Sequence, residues 1–418
     1  MLPGAMKGNR MRVSKRIQWA ATLGVAGLLA TGCGAPGSDA GSAPSLSSGS
    51  VPEKPSKAVT LNILDVAGNK QLTGAIFDQF AKDHPDVVSS VTWETAGAPD
   101  MAGKVKAQQQ AGNLKIDLVL TGTDGLSAGI SEGLFAPVAK DYKDRLGNMA
   151  NYQEPAAEMQ KLAQDQGVAL TYYPSGPLLE YNPDKVPNPP TTAEELLTWA
   201  KEHPGRFGYA RPANSGPGRT FLMGLPYILG DSDPKDPVNG WTKTWDYLKQ
   251  LNQSVSSYPT GTGVTMNNLK NGTWDMAVTT TGWDINPRAL GQVPENFKTQ
   301  ALKGFTWVTD AQYAAVPKGV SADKMSAILQ VLQYALTPEQ QAKTYDTGYF
   351  YPGPAVKDVS IDLAPQESQD VITKFGRTEY DALINDNPKA TPIDAAALVK
   401  AFDTWDTQVA TGKVEQKK

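Results

Sequence analysis

"KIDLVLTGTDG", Lys115 to Gly125, places Ile116, Leu118, Val119 and Leu120 directly ahead of a loop of threonine, glycine and aspartate. A short apolar run bounded by turn residues reads as a strand buried on both faces, as parallel sheets require. Toward the N-terminus, "MAGKVKAQQQAGN" (101–113) is a helix ended by Gly112, and "VSSVTWET" (88–95) is a strand. Further back, "KQLTGAIFDQFAKDHP" (70–85) carries Leu72, Ile76, Phe77 and Phe80 at helical spacing before Pro85, and "AVTLNILDVAG" (58–68) is an alternating β run. Strand, helix, strand, helix, strand predicts an α/β sheet whose ligands meet the loops after the strand ends.

A second series follows. "GVALTYYPSGPLLEYNPDKV" (167–186) is extended, and "TTAEELLTWAKEHP" (191–204) is a helix with Thr192 and Glu195 at capping-box spacing. "RFGYARPANSGPG" (206–218) is a strand entering a Gly/Pro loop, "GTWDMAVTTTGWDINPRAL" (272–290) is a strand, polar loop and helix start, and "FTWVTDAQYAAVPKG" (305–319) is extended again. Roughly 360 residues are too many for one small core, so two lobes are expected. No internal repeat supports a solenoid.

The N-terminus reads differently. Residues 1–16 carry Lys7, Arg10, Arg12, Lys15 and Arg16 without an acid, and Ile17 to Ala30 is apolar but too short to span a bilayer. "LLATGC" then ends on Cys33, the one cysteine of 418 residues. This resembles the bacterial lipoprotein signal, with Ala30 where leucine is commoner, and it implies lipidation of Cys33 after removal of residues 1–32. Residues 33–57 are rich in Gly, Ser, Pro and Ala and read as a flexible tether. Without the leader the balance is 34 basic against 43 acidic residues, which disfavours nucleic acid as a partner. Two histidines in no ligand spacing disfavour a zinc site or a Ser/His/Asp triad; no metal or cofactor is expected.

The order of these segments, with the lipoprotein signal, resembles the extracellular solute-binding lipoproteins of ABC importers, of the family 1 or polyamine-like group. The residues that carry the resemblance are "IDLVLTGTDGLSAGISEGLFAPV" (116–138), "GPLLEYNPDKV" (176–186), "PPTTAEELLTWAK" (189–201) and "AAVPKGVSADKMSAILQVLQYALTPEQQA" (314–342). The resemblance implies a type II periplasmic-binding-protein or Venus-flytrap fold. Lobe 1 would comprise 58–172 with 306–346 and lobe 2 181–303 with 355–418. Hinge crossings would lie near Tyr173–Glu180, Lys303–Thr306 and Gly348–Pro354. It also implies a monomer on the extracytoplasmic face of the membrane, delivering a small-molecule solute to an ABC permease.

Five loops would face the cleft: 65–69, 121–124, 172–175, 213–220 and 279–286. From them Asp65, Thr121, Thr123, Asp124, Tyr173, Ser215, Arg219, Thr281, Trp283 and Asp284 are the candidate ligand-binding residues. Ser215 and Arg219 would suit an anionic group near a helix start. An ordinary strand-to-helix turn would explain the same glycines and prolines. Trp283 with Asp284 would suit an organic ammonium through its π face and countercharge, and the alternative is an Asx turn beside a core tryptophan. Glu180, Trp307, Asp310 and Tyr313 are weaker candidates. A secreted hydrolase needs paired carboxylates or an activated nucleophile, and no Gly-x-Ser-x-Gly elbow is present. That enzyme and a structural or adhesion lipoprotein are the alternatives to a non-enzymatic solute-binding protein.

Overall fold

The computed structural model describes residues 48–66 and 68–415, so the leader and Cys33 lie outside the described residues. The strands are β1 (Val59–Val66), β2 (Val88–Ala96), β3 (Leu118–Gly122), β4 (Val168–Gly176), β5 (Leu178–Tyr181), β6 (Phe207–Gly208), β7 (Met276–Thr279), β8 (Lys298–Gln300), β9 (Trp307–Ala315), β10 (Gly353–Pro354) and β11 (Lys389–Ala390). They form two sheets. The larger runs β10-β4-β9-β3-β1-β2 with β11 added beside β9, and the smaller runs β6-β7-β5-β8.

In the larger sheet β1, β2 and β3 are parallel, whereas β9 is antiparallel to both β3 and β4. The uninterrupted burial of β3, β4 and β9 follows from helices on both faces, which is why these strands read as continuous apolar runs. Leu61, Ile63, Leu118, Leu120, Leu170 and Ile328 belong to the core around this sheet. A separate core around the smaller sheet contains Leu196, Phe207, Phe221, Trp241, Leu248 and Trp405.

Two strands carry the chain between the cores. Tyr172 in β4 packs in the first and Leu179 in β5 in the second, one cis Gly176–Pro177 step apart in strand geometry. β9 starts with Val308 in the second core and continues with Ala311 and Tyr313 in the first. At Gly348–Pro354, expected as a third crossing, the chain stays with the larger sheet: β10 pairs with β4, Ala355 and Val356 pack in the first core, and β11 pairs with the start of β9; the second core is rejoined only from Ile393 and Leu398 onward.

The helices that matter for the site are α1 (Asn69–Asp83), α2 (Ala98–Gln110), α3 (Thr123–Ser131), α4 (Ala193–Glu202), α5 (Gly216–Leu229), α6 (Thr262–Lys270), α7 (Thr281–Ala289), α8 (Gln366–Phe375), α9 (Glu379–Asp386) and α10 (Ala395–Thr404). The composition of residues 33–57 reads as tether throughout, yet its last part is docked. Val51 is buried in the first core, Arg145 donates to the carbonyls of Pro52 and Glu53 at 3.0 and 3.1 Å, and Ser56 N–H donates to Asp323 at 3.0 Å. Carbonyl acceptors carry no side-chain signature, so composition alone could not show this contact.

Thr192 caps α4 by accepting from Glu195 N–H at 3.1 Å, while the Glu195 carboxylate reaches back to Thr191 N–H at 2.8 Å, one residue earlier than a reciprocal box. Thr192→Ala should therefore lower stability by about 1 kcal/mol in urea unfolding, the ordinary cost of losing such a cap.

Candidate ligand-binding site

The parallel strands β1 and β3 bring their C-terminal ends to the face between the two sheets, and there the chain turns into α1 and α3. Gly68 makes the first turn in the left-handed region, φ 79°, where a side chain would be strained and a Cβ would meet the Tyr349 hydroxyl at 3.2 Å. Because β9 is antiparallel, it presents its beginning to the same face, with Gln312 directly opposite Gly122. From the other sheet come the turn into α5 and the starts of α6 and α7. They enclose a cavity of about 220 Å³ to which all five expected loops contribute, through Gly68, Gly122, Asp124, Tyr173, Asn214, Gly216, Arg219 and Trp283. Thr262, Asp310, Gln312, Tyr349 and Phe350 complete the lining.

One wall is aromatic. Tyr173 and Phe350 meet edge to face at 4.6 Å, Phe350 and Tyr349 at 4.6 Å, and Tyr349 and Trp283 at 5.4 Å. The wall depends on glycine: a Cβ on Gly282 would lie 1.9 Å from the Tyr349 carbonyl oxygen, so the Gly348–Pro354 segment rests directly on the first turn of α7.

The wall that adjoins it at Tyr173 is ionic. Arg219, on the first turn of α5, pairs with Asp310 of β9 and approaches Asp124 of α3 at 3.3 Å, with all three side chains almost fully buried. Asp310 also accepts from Tyr173 Oη at 3.0 Å, Thr123 Oγ1 at 2.6 Å and its neighbour Ala311 N–H at 3.0 Å. A carboxylate has about four lone-pair sites, so Asp310 is saturated. Asp124 accepts from Gly125 N–H at 2.9 Å and otherwise has the longer arginine contact, which leaves it room for a further donor. Burial pushes the Asp124 carboxyl above its ordinary value, against the opposing pull of Arg219. Asn214 adds a buried Oδ1 without a partner among the described residues. Gln312 accepts from Asn69 at 2.8 Å and keeps its amide N–H groups for other partners.

Of the residues expected from sequence, Asp124, Tyr173, Arg219 and Trp283 line the cavity. The others have local partners. Thr123 holds Asp310, and Thr121 donates to Gly122 O. Ser215 caps α5 through Gly218 N–H and bonds Thr262, and Thr281 donates to Tyr351 O. Asp65 is buried outside the lining, with its carboxyl raised by desolvation. In the Ser215–Arg219 turn the guanidinium charge is already countered by Asp310 and Asp124, so it offers an anion no unpaired positive charge.

Asp284 requires the largest revision. Residues 281–289 are helix, not loop, so Trp283 and Asp284 diverge by about 100° around its axis. Asp284 is fully buried away from the cavity, accepting from Arg288 at 2.9 and 3.0 Å, from Arg377 at 2.7 and 2.6 Å and from Tyr380 Oη at 2.7 Å. Asn286 bonds Thr347 at 2.7 Å. Glu180 lies near this cluster, fully buried and without a hydrogen-bond partner among the described residues; desolvation and the charge of Asp284 push its carboxyl well up. Trp307 and Tyr313 are core residues. Thr262 and Gln312 were missed: nothing in a helix start or the middle of a strand marks them without the β9 register.

Residues 75–374 match the model of the bacterial extracellular solute-binding protein family. The chain belongs to that family. Solved structures of the same two-lobed fold include a putative spermidine/putrescine ABC transporter from Listeria monocytogenes, 17% identical with TM-score 0.57, covering 83% of this chain and 98% of its own. The periplasmic binding protein AfuA from Actinobacillus pleuropneumoniae, with fructose-6-phosphate bound, is 14% identical with TM-score 0.60 and covers 85% and 100%. AgtB from A. tumefaciens R10, in complex with agropinic acid, is 21% identical with TM-score 0.55 and covers 84% and 96%. No curated protein sequence matches the chain significantly.

The two aspartates should separate cleanly in mutagenesis. Asp284→Asn removes the negative charge shared by buried Arg288 and largely buried Arg377 and should cost about 3–5 kcal/mol in urea unfolding. Asp124→Asn neutralises a carboxylate that burial already disfavours and should change stability by less than about 1 kcal/mol.

Proposed function

We propose that this solute-binding protein captures a small, amine-containing solute between its lobes and delivers it to the permease of an ABC importer. Asp124 carries this reading: its carboxylate lines the cavity, is nine-tenths buried, and has capacity for another donor. An ammonium group satisfies that need, and the faces of Trp283, Tyr349 and Phe350 in the same cavity suit the cation and its alkyl carbon. The relatives show why the lining must decide. Structures of this fold are described with a sugar phosphate, with agropinic acid and as a polyamine transporter. The lipid at Cys33 would hold the protein at the extracytoplasmic face of the membrane, since two or more acyl chains give stable anchoring where one does not.

Titration calorimetry with primary amines, amino alcohols and amino acids tests the solute. Asp124→Asn should weaken amine binding at least about tenfold, because it removes the partner of a desolvated charge; unchanged affinity would exclude Asp124 from the site. The pH dependence has a defined sign. A carboxyl raised by burial takes up its proton at a pH above its ordinary value of 3.8, so amine affinity should fall on acidification while the pH is still above that value. Burial sets the direction of that shift, with Arg219 opposing it and Asp310 adding to it; the other charged groups beside Asp124, in the adjoining cavity, are Arg211, Asp403 and Asp406. In the Asp124→Asn variant the acid-dependent loss should disappear. Cys33→Ser should release the protein from membranes or leave its leader uncut, as fractionation and the mass of the mature chain would report.

A further inference from the structure

Three charged side chains line the cavity among the described residues: Asp124, Arg219 and Asp310. They are not equivalent. Asp310 accepts four hydrogen bonds from Arg219, Tyr173, Thr123 and its neighbouring amide, so it is fully committed to the protein. Burial works against the Arg219 proton, but the charges of Asp310 and Asp124 more than reverse this and hold the guanidinium charged. Arg219 and Asp310 thus form a neutral pair whose acceptor side is filled, so a solute ammonium finds no open lone pair on Asp310 and only N–H donors on Arg219. Asp124 is what remains: one negative charge with open lone pairs.

We infer that Arg219 is a resident counter-cation that sets the number of charges the solute brings, making the site selective for one ammonium group over two. This rests on the amine reading of the cavity and refines it. A first ammonium neutralises Asp124. A second, confined to about 220 Å³, meets a saturated Asp310 and the like charge of Arg219, and an uncompensated buried charge or a like-charge contact is strongly unfavourable. Nearby groups do not alter this balance. Burial first, and then the charges of Asp65 and Asp346, raise the Tyr349 hydroxyl, and both aspartates lie outside the lining. Beyond Asp124 is a second cavity of about 280 Å³, where Arg211 is paired with Asp406 and Asp403 is exposed to solvent.

The arginine also reaches across the cleft. α5 packs in the core of the smaller sheet through Phe221, Leu222 and Leu225, whereas Asp310 and Asp124 belong to the larger-sheet side. The same guanidinium therefore fixes both the charge of the cavity and the approach of its two walls, and a neutral replacement changes the first even where packing preserves the second.

The test compares two probes of equal chain length that differ by one charge, 5-aminopentan-1-ol and 1,5-diaminopentane, by titration calorimetry on the intact mature protein. Wild type should favour the amino alcohol by at least about tenfold. Arg219→Lys should retain that preference. Arg219→Gln, which leaves two negative charges, should reverse it toward the diamine. Arg219→Gln combined with Asp310→Asn restores a single negative charge and should restore the wild-type order; this double variant carries the test if the single one does not fold, because it leaves one unpaired buried carboxylate, Asp124, where the single variant leaves two. Equal affinity of the wild type for both probes, with the second ammonium reaching Asp403, would overturn the inference while leaving the amine reading intact. A double variant without the wild-type preference would overturn it equally. Failure of the wild type to bind either probe would instead remove the amine reading, and with it the charge selectivity built on it.

Discussion

Arg219 and Asp310 are buried against one another where two sheets converge, and much of the site's geometry is arranged around that contact. Neither charge is tolerated alone at such depth, so each dictates its surroundings. Asp310 recruits Tyr173 and Thr123 as donors, and these tie β4 and the first turn of α3 to β9. Arg219 brings the start of α5, from the other core, onto the same point. The cavity is consequently bounded by elements whose mutual positions are set by electrostatic satisfaction as much as by apolar packing.

The aromatic wall obeys a steric constraint instead. Tyr349 and Phe350 sit on the Gly348–Pro354 segment, and the segment approaches α7 closely because Gly282 and Gly348 have no side chains. A Cβ at Gly348 would lie 2.4 Å from Ile285. Trp283 then stands beside Tyr349 in the position left to it by helix geometry, while the next residue, Asp284, is directed into the protein. Two neighbouring residues thus serve unrelated purposes: one faces the cavity and the other anchors α7 to the segment around α8 and α9 through Arg377 and Tyr380.

Much of this was legible in the sequence because periodicity records burial. The β1 to β3 series, the helices between them and the turns at their ends follow from apolar spacing and turn residues; Asp124, Tyr173, Arg219 and Trp283 lie in or next to strand-end turns that the sequence marks, on first helical turns or, for Tyr173, near the end of β4. What the sequence concealed was three-dimensional register. β9 runs antiparallel to β3, so its early residues reach the cleft although the rule for parallel strands points to the opposite end; Asp310 is only a weaker candidate from sequence, and Gln312 is none. Adjacency to Trp283 points Asp284 to the cavity, whereas it is buried by Arg288 four positions on and by Arg377 and Tyr380, which lie more than ninety positions away. Long-range ion pairs of this kind leave no local pattern.

The Asp284 cluster also bears on the order in which the site is framed during the protein's own biogenesis. A chain that emerges N-terminus first can form β1, β2, β3 and the helices between them from nearby residues, since their contacts are short-range. Trp283 is translated before Thr347 and Tyr351, which bond its helix through Asn286 and Thr281, and before Arg377 and Tyr380, which bond it through Asp284; β9 receives β11 later still. A C-terminally truncated chain lacking Arg377 and Tyr380 would therefore keep most of the cavity's side chains while losing part of the frame that holds Trp283.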